Sequence, residues 1–249
     1  MIQNSRAPIA LDRRAIVGIG VAVVMSATGA WAAETGGGPT LAKLLADGGP
    51  LMYVLGALSI IGLALVIYLA ISLRASAVVP AGLTEDLFRA LDVGRVEEAH
   101  MICRRSRSAF AAIAEVAILC AERTPNAPME TIKEMVESEG ARQAGHIQSR
   151  IQYLLDVAVV APMVGLLGTV MGMLQAFNAV ALDIAKARPI VLAQGVSQAL
   201  ITTAAGLIVG IPAMVAHAYF RGRGADLIAR MESAAAELVL HLPARRGSR

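Results

Sequence analysis

The sequence predicts an all-α integral membrane protein with three transmembrane helices, the second and third very long and extending into the cytoplasm. Three observations carry this. Of the 249 residues 56% are hydrophobic and 16% charged, too apolar a balance for an ordinary water-soluble domain. Uncharged runs recur at 51–73, 157–182 and 190–220, each long enough for a hydrocarbon core that takes roughly 20 helical residues to cross. Only 4% of the residues are aromatic while 23 are glycine, so small side chains let membrane helices approach closely.

Taken in order, residues 1–32 read as a signal peptide. Arg6, Arg13 and Arg14 make a basic start, Ala15–Ala27 is a short apolar core, and Ala30-Trp31-Ala32 fits a small-x-small cleavage pattern. An uncleaved short anchor is the competing reading. Residues 33–50 form a short Gly-rich periplasmic segment, and 51–73 the first transmembrane helix, closed by Arg74. Residues 74–153 form a cytoplasmic helical region. Leu83, Leu87 and Leu91, then Val93, Val96 and Ala99, then Ile113, Val116 and Ala117 recur at helical spacing, with a turn expected at Asp92-Val93-Gly94.

The string Thr124-Pro125-Asn126-Ala127-Pro128 is the clearest break. A long helix is expected to start there, with Pro128 in its first turn and Glu130 near its positive end. Its stripe is Met129, Ile132, Met135, Val136, Ile147, Ile151 and Leu154. No breaker separates this stripe from the second transmembrane helix, 154–182, so one continuous helix is predicted. A periplasmic loop, 183–189, leads to the third transmembrane helix, 190–220, with Pro212 as an internal kink. Residues 221–249 form a cytoplasmic helix and basic tail, with Leu227, Ile228, Met231, Ala235 and Leu238 on one side. Arg74, Arg142, Arg150, Arg221, Arg223 and Arg230 flank the spans on one side, against Lys43, Lys186 and Arg188 on the other. The positive-inside rule then puts 74–150 and the C-terminus in the cytoplasm.

Two small-residue stripes carry the candidate site. Ala158, Pro162, Gly165, Thr169, Gly172 and Ala176 fall at spacings of three or four, as do Ala199, Thr203, Gly206, Gly210 and Ala213. Such stripes pack helices against each other in lipid; they also suit helices that line a space shared with another chain. Gly168 and Pro212 join the packing set. Thr169 and Thr203 lie at similar depth. A membrane threonine often bonds a carbonyl of its own helix and does nothing else, whereas two mid-membrane hydroxyls facing a cavity suit a proton path. Gln198 and Thr202 make a polar patch nearer the outer mouth, either bonding between helices or lining a pore. Asp156 is the only carboxylate near the body of a span, either a solvated interfacial group or a pore exit. His217 reads as a snorkelling interfacial residue.

Other chemistries find no support. A net charge of +3 spread over span-flanking segments is no nucleic-acid signal. Cys103 and Cys120 lack CxxC spacing, and His100 with Cys103 lacks the rest of a metal site. No nucleotide, phosphate or nucleophile motif suggests an enzyme or a cofactor. A solute transporter would show inverted repeats and broken helices, which are not evident. The charges within 92–107 and 130–150 read as solvated helix faces with i,i+4 pairs.

The string Gly165-Leu166-Leu167-Gly168-Thr169-Val170 after Pro162, and Ala199-Leu200-Ile201-Thr202-Thr203-Ala204 followed by Gly206-Leu207 and Ile211-Pro212, resemble the second and third spans of the MotA/TolQ/ExbB proton-channel family, closest to the TolQ/ExbB branch. The resemblance covers about residues 48–225. It implies a homopentameric ring in the Gram-negative inner membrane around single helices of ExbD/TolR-type partners. A partner aspartate would carry the proton, facing Thr169 and Thr203. Proton motive force would then become work on a TonB/TolA-like, periplasm-spanning protein. Two positions depart from the family pattern: Gln198 stands where many relatives have glutamate, and Asp156 where a neutral polar residue is usual. The alternative reading is a membrane scaffold that organises a partner complex without conducting protons.

Overall fold

A computed structural model describes residues 48–106, 108–123, 128–182 and 189–242. The expected signal peptide, all but the last residues of 33–50, positions 183–188 of the outer loop and the tail 243–249 lie outside the described residues. The rest is helical: α1 Leu51–Ser72, α2 Ala75–Val78, α3 Ala81–Asp92, α4 Val96–Arg105, α5 Ala109–Arg123, α6 Met129–Leu182 and α7 Pro189–His241. Three of these, α1, α6 and α7, are long and apolar enough to cross a membrane.

The expected uninterrupted second helix is present: α6 runs 54 residues without a break, through Pro162. Its contour of about 80 Å far exceeds a hydrocarbon core of about 30 Å. The third span and the amphipathic segment after it are likewise one helix, α7, of 53 residues with Pro212 inside it. Pro128 falls one residue before α6 rather than in its first turn, and its carbonyl accepts the Thr131 N–H at 3.0 Å.

The chain divides into two compact units, one built from residues up to Val66 with Gln152–Tyr219, the other from Ile67–Ile151 with Phe220 onward. The first unit holds most of α1 and the apolar stretches of α6 and α7. Its interior is thin: Leu55, Leu154, Val157, Ala158, Ala161, Ala176, Ala199 and Ala213 are buried. Large apolar side chains such as Met163, Leu166, Val170, Phe177, Leu200 and Ile211 point outward. An inside of small residues and an outside of large apolar ones is the pattern of helices solvated by lipid.

The second unit is a helical cluster with a core of bulky side chains. Leu69, Leu87, Phe110, Ile113, Ile118, Met231 and Leu238 are fully buried. Phe88 and Phe110 meet edge to face at 6.4 Å, an arrangement their ring quadrupoles favour. The predicted turn at Asp92-Val93-Gly94 is present, with Gly94 at φ +77°, a left-handed conformation that costs glycine nothing. Val93 sits in that turn and is exposed, so it leaves the apolar stripe that spacing alone assigns to it. Met129 and Met135 are also exposed, while Ile132, Val136, Ile147, Ile151 and Leu154 are buried; the α6 stripe is narrower than its composition suggests. The charged helix faces carry i,i+3 ion pairs, Arg95–Glu98 at 3.2 Å, Lys133–Glu130 at 3.6 Å and Arg142–Glu139 at 2.6 Å, and an i,i+4 bond from Gln143 Nε2 to Glu139 at 2.7 Å. Either spacing joins neighbours on a helix surface.

Two arginines finish α1 within this unit. Arg223 Nε donates to the Leu73 carbonyl at 2.6 Å, and Arg150 Nη1 donates to Ser72 Oγ at 3.3 Å. Cations at a helix C-terminus answer both its orphan carbonyls and its dipole. The far end of α7 is tied down where His241 Nδ1 lies 2.7 Å from Asp92 Oδ1, its ring stacked on Phe88 at 4.6 Å.

Candidate functional site

The candidate site is the seam between the apolar halves of α6 and α7. Gly165 and Gly206 face each other so closely that a Cβ on Gly206 would lie 2.7 Å from the Ala161 carbonyl oxygen. A Cβ on Gly210 would lie 2.6 Å from Pro162 Cγ, one on Gly168 2.6 Å from Thr202 Cβ, and one on Gly172 3.2 Å from the Gly195 oxygen. Gly195 in turn meets Ala176. As positions on α6 rise from 158 to 176, their partners on α7 fall from 210 to 195, so the helices run antiparallel along a seam of small residues. Pro162 has no N–H to give the Ala158 carbonyl. That oxygen lies against Gly210 instead, 3.0 Å from where a Cβ would sit. The packing residues named from the sequence, Pro162, Gly165, Gly168, Gly172, Gly206 and Gly210, all lie in this contact; Pro212 is half-buried within α7.

The three threonines differ. Thr203 is half-buried, and its hydroxyl crosses the seam to donate to the Gly165 carbonyl at 3.1 Å. That oxygen is also the acceptor for the Thr169 backbone N–H in an α-helix, so the Thr203 hydroxyl reaches the turn of α6 that precedes Thr169. Thr169 is half-buried, and its hydroxyl donates to the Leu166 carbonyl of its own helix at 2.6 Å. Thr202 is 1% exposed. Its hydroxyl is shared between the Gln198 and Ala199 carbonyls at 2.7 and 3.2 Å, with the side chain packed on Gly168. Thr202 therefore sits inside the helix pair, one turn from Gln198, whereas the adjacent Thr203 is half-buried. One residue step turns a helix by about 100°, which separates the two neighbours.

Gln198 is half-buried, and its side-chain amide lies against Gly49, at the start of α1. Gly49 has φ +72°, and a Cβ there would overlap Gln198 Nε2. Asp156 is exposed and accepts from Gln152 Nε2 at 3.4 Å. It lies about 20 Å along α6 from Thr169, so the structure does not bring it to the threonines. His217 is half-buried. Sequence reasoning missed Gly49, Gly62 and Gly195. Gly195 stands four residues before Ala199 in the small stripe, a signal that could have found it. Gly49 and Gly62 oppose Gln198 and Val157, partners distant in sequence.

The fold and seam define a helical membrane protein whose second and third apolar helices form a close antiparallel pair, with the Thr169, Thr202 and Thr203 hydroxyls at mid-depth. The sequence profile of the MotA/TolQ/ExbB proton channel family matches residues 95–233. The chain belongs to that family, and the match contains every candidate site residue. It is similar to the Tol-Pal system protein TolQ of Pseudomonas aeruginosa, 34% identical over 119 residues, 47% of this chain and 51% of that protein. It is also similar to the biopolymer transport protein exbB1 of Vibrio cholerae, 40% identical over 72 residues, 29% of this chain and 32% of that one. TolQ of Haemophilus influenzae is 38% identical over 97 residues, 37% of this chain and 42% of its own length. The matches span about half the length of these relatives or less.

Proposed function

We propose that this chain is the proton-channel subunit of an inner-membrane energy-transducing complex. It passes proton motive force, as mechanical work, to a TonB/TolA-like partner across the periplasm. In this reading it is no enzyme and needs no cofactor. It assembles as a pentameric ring around an ExbD/TolR-like single-span protein. The signal segment is removed, the mature N-terminus and the 183–189 loop are periplasmic, and 74–153 and 221–249 are cytoplasmic. One observation carries the reading: the Thr203 hydroxyl crosses to the Gly165 carbonyl, one helical turn before Thr169, in helices free of charge from 157 to 182 and from 189 to 216. Each proton that crosses releases about 2.3 kcal/mol per 100 mV of membrane potential.

Gln198 is neutral, so the titrating carboxyl belongs to the partner. Thr203→Val and Thr169→Val are expected to abolish proton-driven work while the ring still assembles, checked by proton uptake into vesicles holding the native complex. Wild-type uptake in both variants refutes the assignment. Asp156→Asn with unchanged uptake removes Asp156 from the path. The scaffold reading draws on the fact that all three threonine hydroxyls already have partners within the chain; it predicts function that survives an uncoupler.

A further inference from the structure

We propose that the C-terminal end of α1 carries a binding site for an anionic glycerophospholipid, built from Arg74, Arg150 and Arg223. The ligand is a phosphodiester headgroup with net negative charge, phosphatidylglycerol being the simplest, held at the membrane edge with its acyl chains along α1.

Three helices bring these cations together within the second unit. Gly224 lets α7 close on Ile151 of α6 and on Leu73: a Cβ there would lie 2.7 Å from Ile151 Cδ1 and 3.8 Å from Leu73 Cδ2. Arg223 precedes Gly224 and Arg150 precedes Ile151, so this contact sets both beside the last turn of α1. Arg223 Nε donates to the Leu73 carbonyl at 2.6 Å and Arg150 Nη1 to Ser72 Oγ at 3.3 Å; Arg74 is the next residue of the chain. A guanidinium has five N–H donors, and each bond to α1 takes one of them while holding the fork at this turn. Arg74 and Arg150 are exposed and Arg223 is half-buried.

The charge balance at this level is positive. Residues 51–84 contain no Asp or Glu. One turn to either side of Arg150 stand His146, Ile147, Tyr153 and Leu154. Asp226 stands one turn from Arg223 and has a partner within the chain. Three guanidiniums thus face one carboxylate.

Depth selects a lipid over a soluble anion. The 22 residues of α1 span about 33 Å, against a hydrocarbon core of about 30 Å. Its C-terminal end therefore falls at headgroup level. Ile67, Tyr68 and Ile71, in its last two turns, are exposed. They offer apolar surface to acyl chains, and a tyrosine ring suits the membrane edge. Arginine forks match phosphate oxygens in pairs. A zwitterionic headgroup would bring its own ammonium among these cations, and phosphatidylglycerol does not.

The test titrates the full chain, purified in an uncharged detergent, with dioleoyl phosphatidylglycerol or dioleoyl phosphatidylcholine. Native mass spectrometry reads the lipid bound per subunit. Phosphatidylglycerol is expected to bind at least about tenfold more tightly. Arg74→Gln is expected to weaken it about fivefold and Arg74→Gln/Arg150→Gln about twentyfold, since each basic side chain near a charged lipid surface contributes roughly the same factor. Arg74 is exposed, so the single variant reads the site even where loss of the Arg150 bond disturbs the fold. Arg104→Gln/Arg105→Gln removes the same charge from α4, where both side chains are exposed, and is expected to leave binding unchanged. Equal affinity for the two lipids, wild-type affinity in the Arg74 variant, or an equal loss in the α4 variant would each overturn the proposal. Glycerol 3-phosphate, a headgroup without acyl chains, is expected not to compete at the lipid's concentration. Full competition would give these arginines to a soluble phosphate ester and overturn the lipid assignment.

Discussion

The α6–α7 seam and the helical cluster of the second unit are held together by opposite means. In the seam glycine backbones make the contacts: Gly165 on Gly206, Gly172 on Gly195, and Gly210 on the Pro162 ring and the Ala158 carbonyl. Large side chains there point away. In the cluster the large side chains point in, with Phe110, Leu87, Ile113, Met231 and Leu238 removed from solvent. Water expels apolar surface and rewards bulk. Lipid offers no such force between helices, so close approach and hydrogen bonds supply the attraction. The same chain thus uses its smallest residues where a membrane would surround it and its largest where it has a water-soluble pattern.

The sharpest way to break this contrast is to put bulk into the seam. Gly206→Leu is expected to give no monodisperse protein after detergent extraction, because the Ala161 carbonyl and Gly165 already occupy that space. Size-exclusion chromatography reads the result, and a normal profile would show that the seam can open. The reverse change, Phe110→Ala, removes bulk from the cluster and is expected to cost about 3–5 kcal/mol, read as an earlier thermal transition of that unit while the seam hydrogen bonds persist.

A smaller effect separates the two cysteines. Burial, helped by the Glu115 charge, pushes the Cys103 thiol up to about 12, so the reactive thiolate is scarce at neutral pH. Cys120 is only half-buried. Iodoacetamide at pH 8 is expected to label Cys120 first, with Cys103 following only on denaturation; equal rates would mean that the cluster opens readily.

The smallest effect is electrostatic. A hydrogen bond from Arg142, with a smaller one from Gln143, outweighs partial burial and holds Glu139 below its usual carboxylate value. A carboxyl depressed in the folded state adds stability above its unfolded value, near pH 4.5, and loses it as pH falls through the folded value. Arg142 is exposed, so solvent screening keeps this contribution small. Glu139→Gln is expected to flatten the acid limb of the stability profile and leave neutral pH nearly unchanged.

Much of this was legible in the sequence, and the misses have physical causes. The uncharged runs fixed where α1, α6 and α7 lie, and spacing found the seam glycines, because membrane helices bury one narrow face with a strict period. The Asp92-Val93-Gly94 turn was readable since its glycine takes the left-handed conformation. Val93, Met129 and Met135 were misread because an apolar residue beside a stripe looks like part of it until neighbours are placed. Thr202 and Thr203 are adjacent and chemically identical. Which one crosses to Gly165 and which is sealed on Gly168 depends on the rotation of α7 about its axis, a property of the pair.

The sequence by itself determined the helical class, the number of apolar helices long enough to span, and the family, because hydrophobic runs and small-residue periods are local and survive without coordinates. Only the tertiary structure decided where each polar group spends its hydrogen bonds. Thr203 on Gly165, Gln198 on Gly49, Arg223 on Leu73 and His241 on Asp92 join positions distant along the chain. Such partners are set by helix rotation and register, which no single segment encodes.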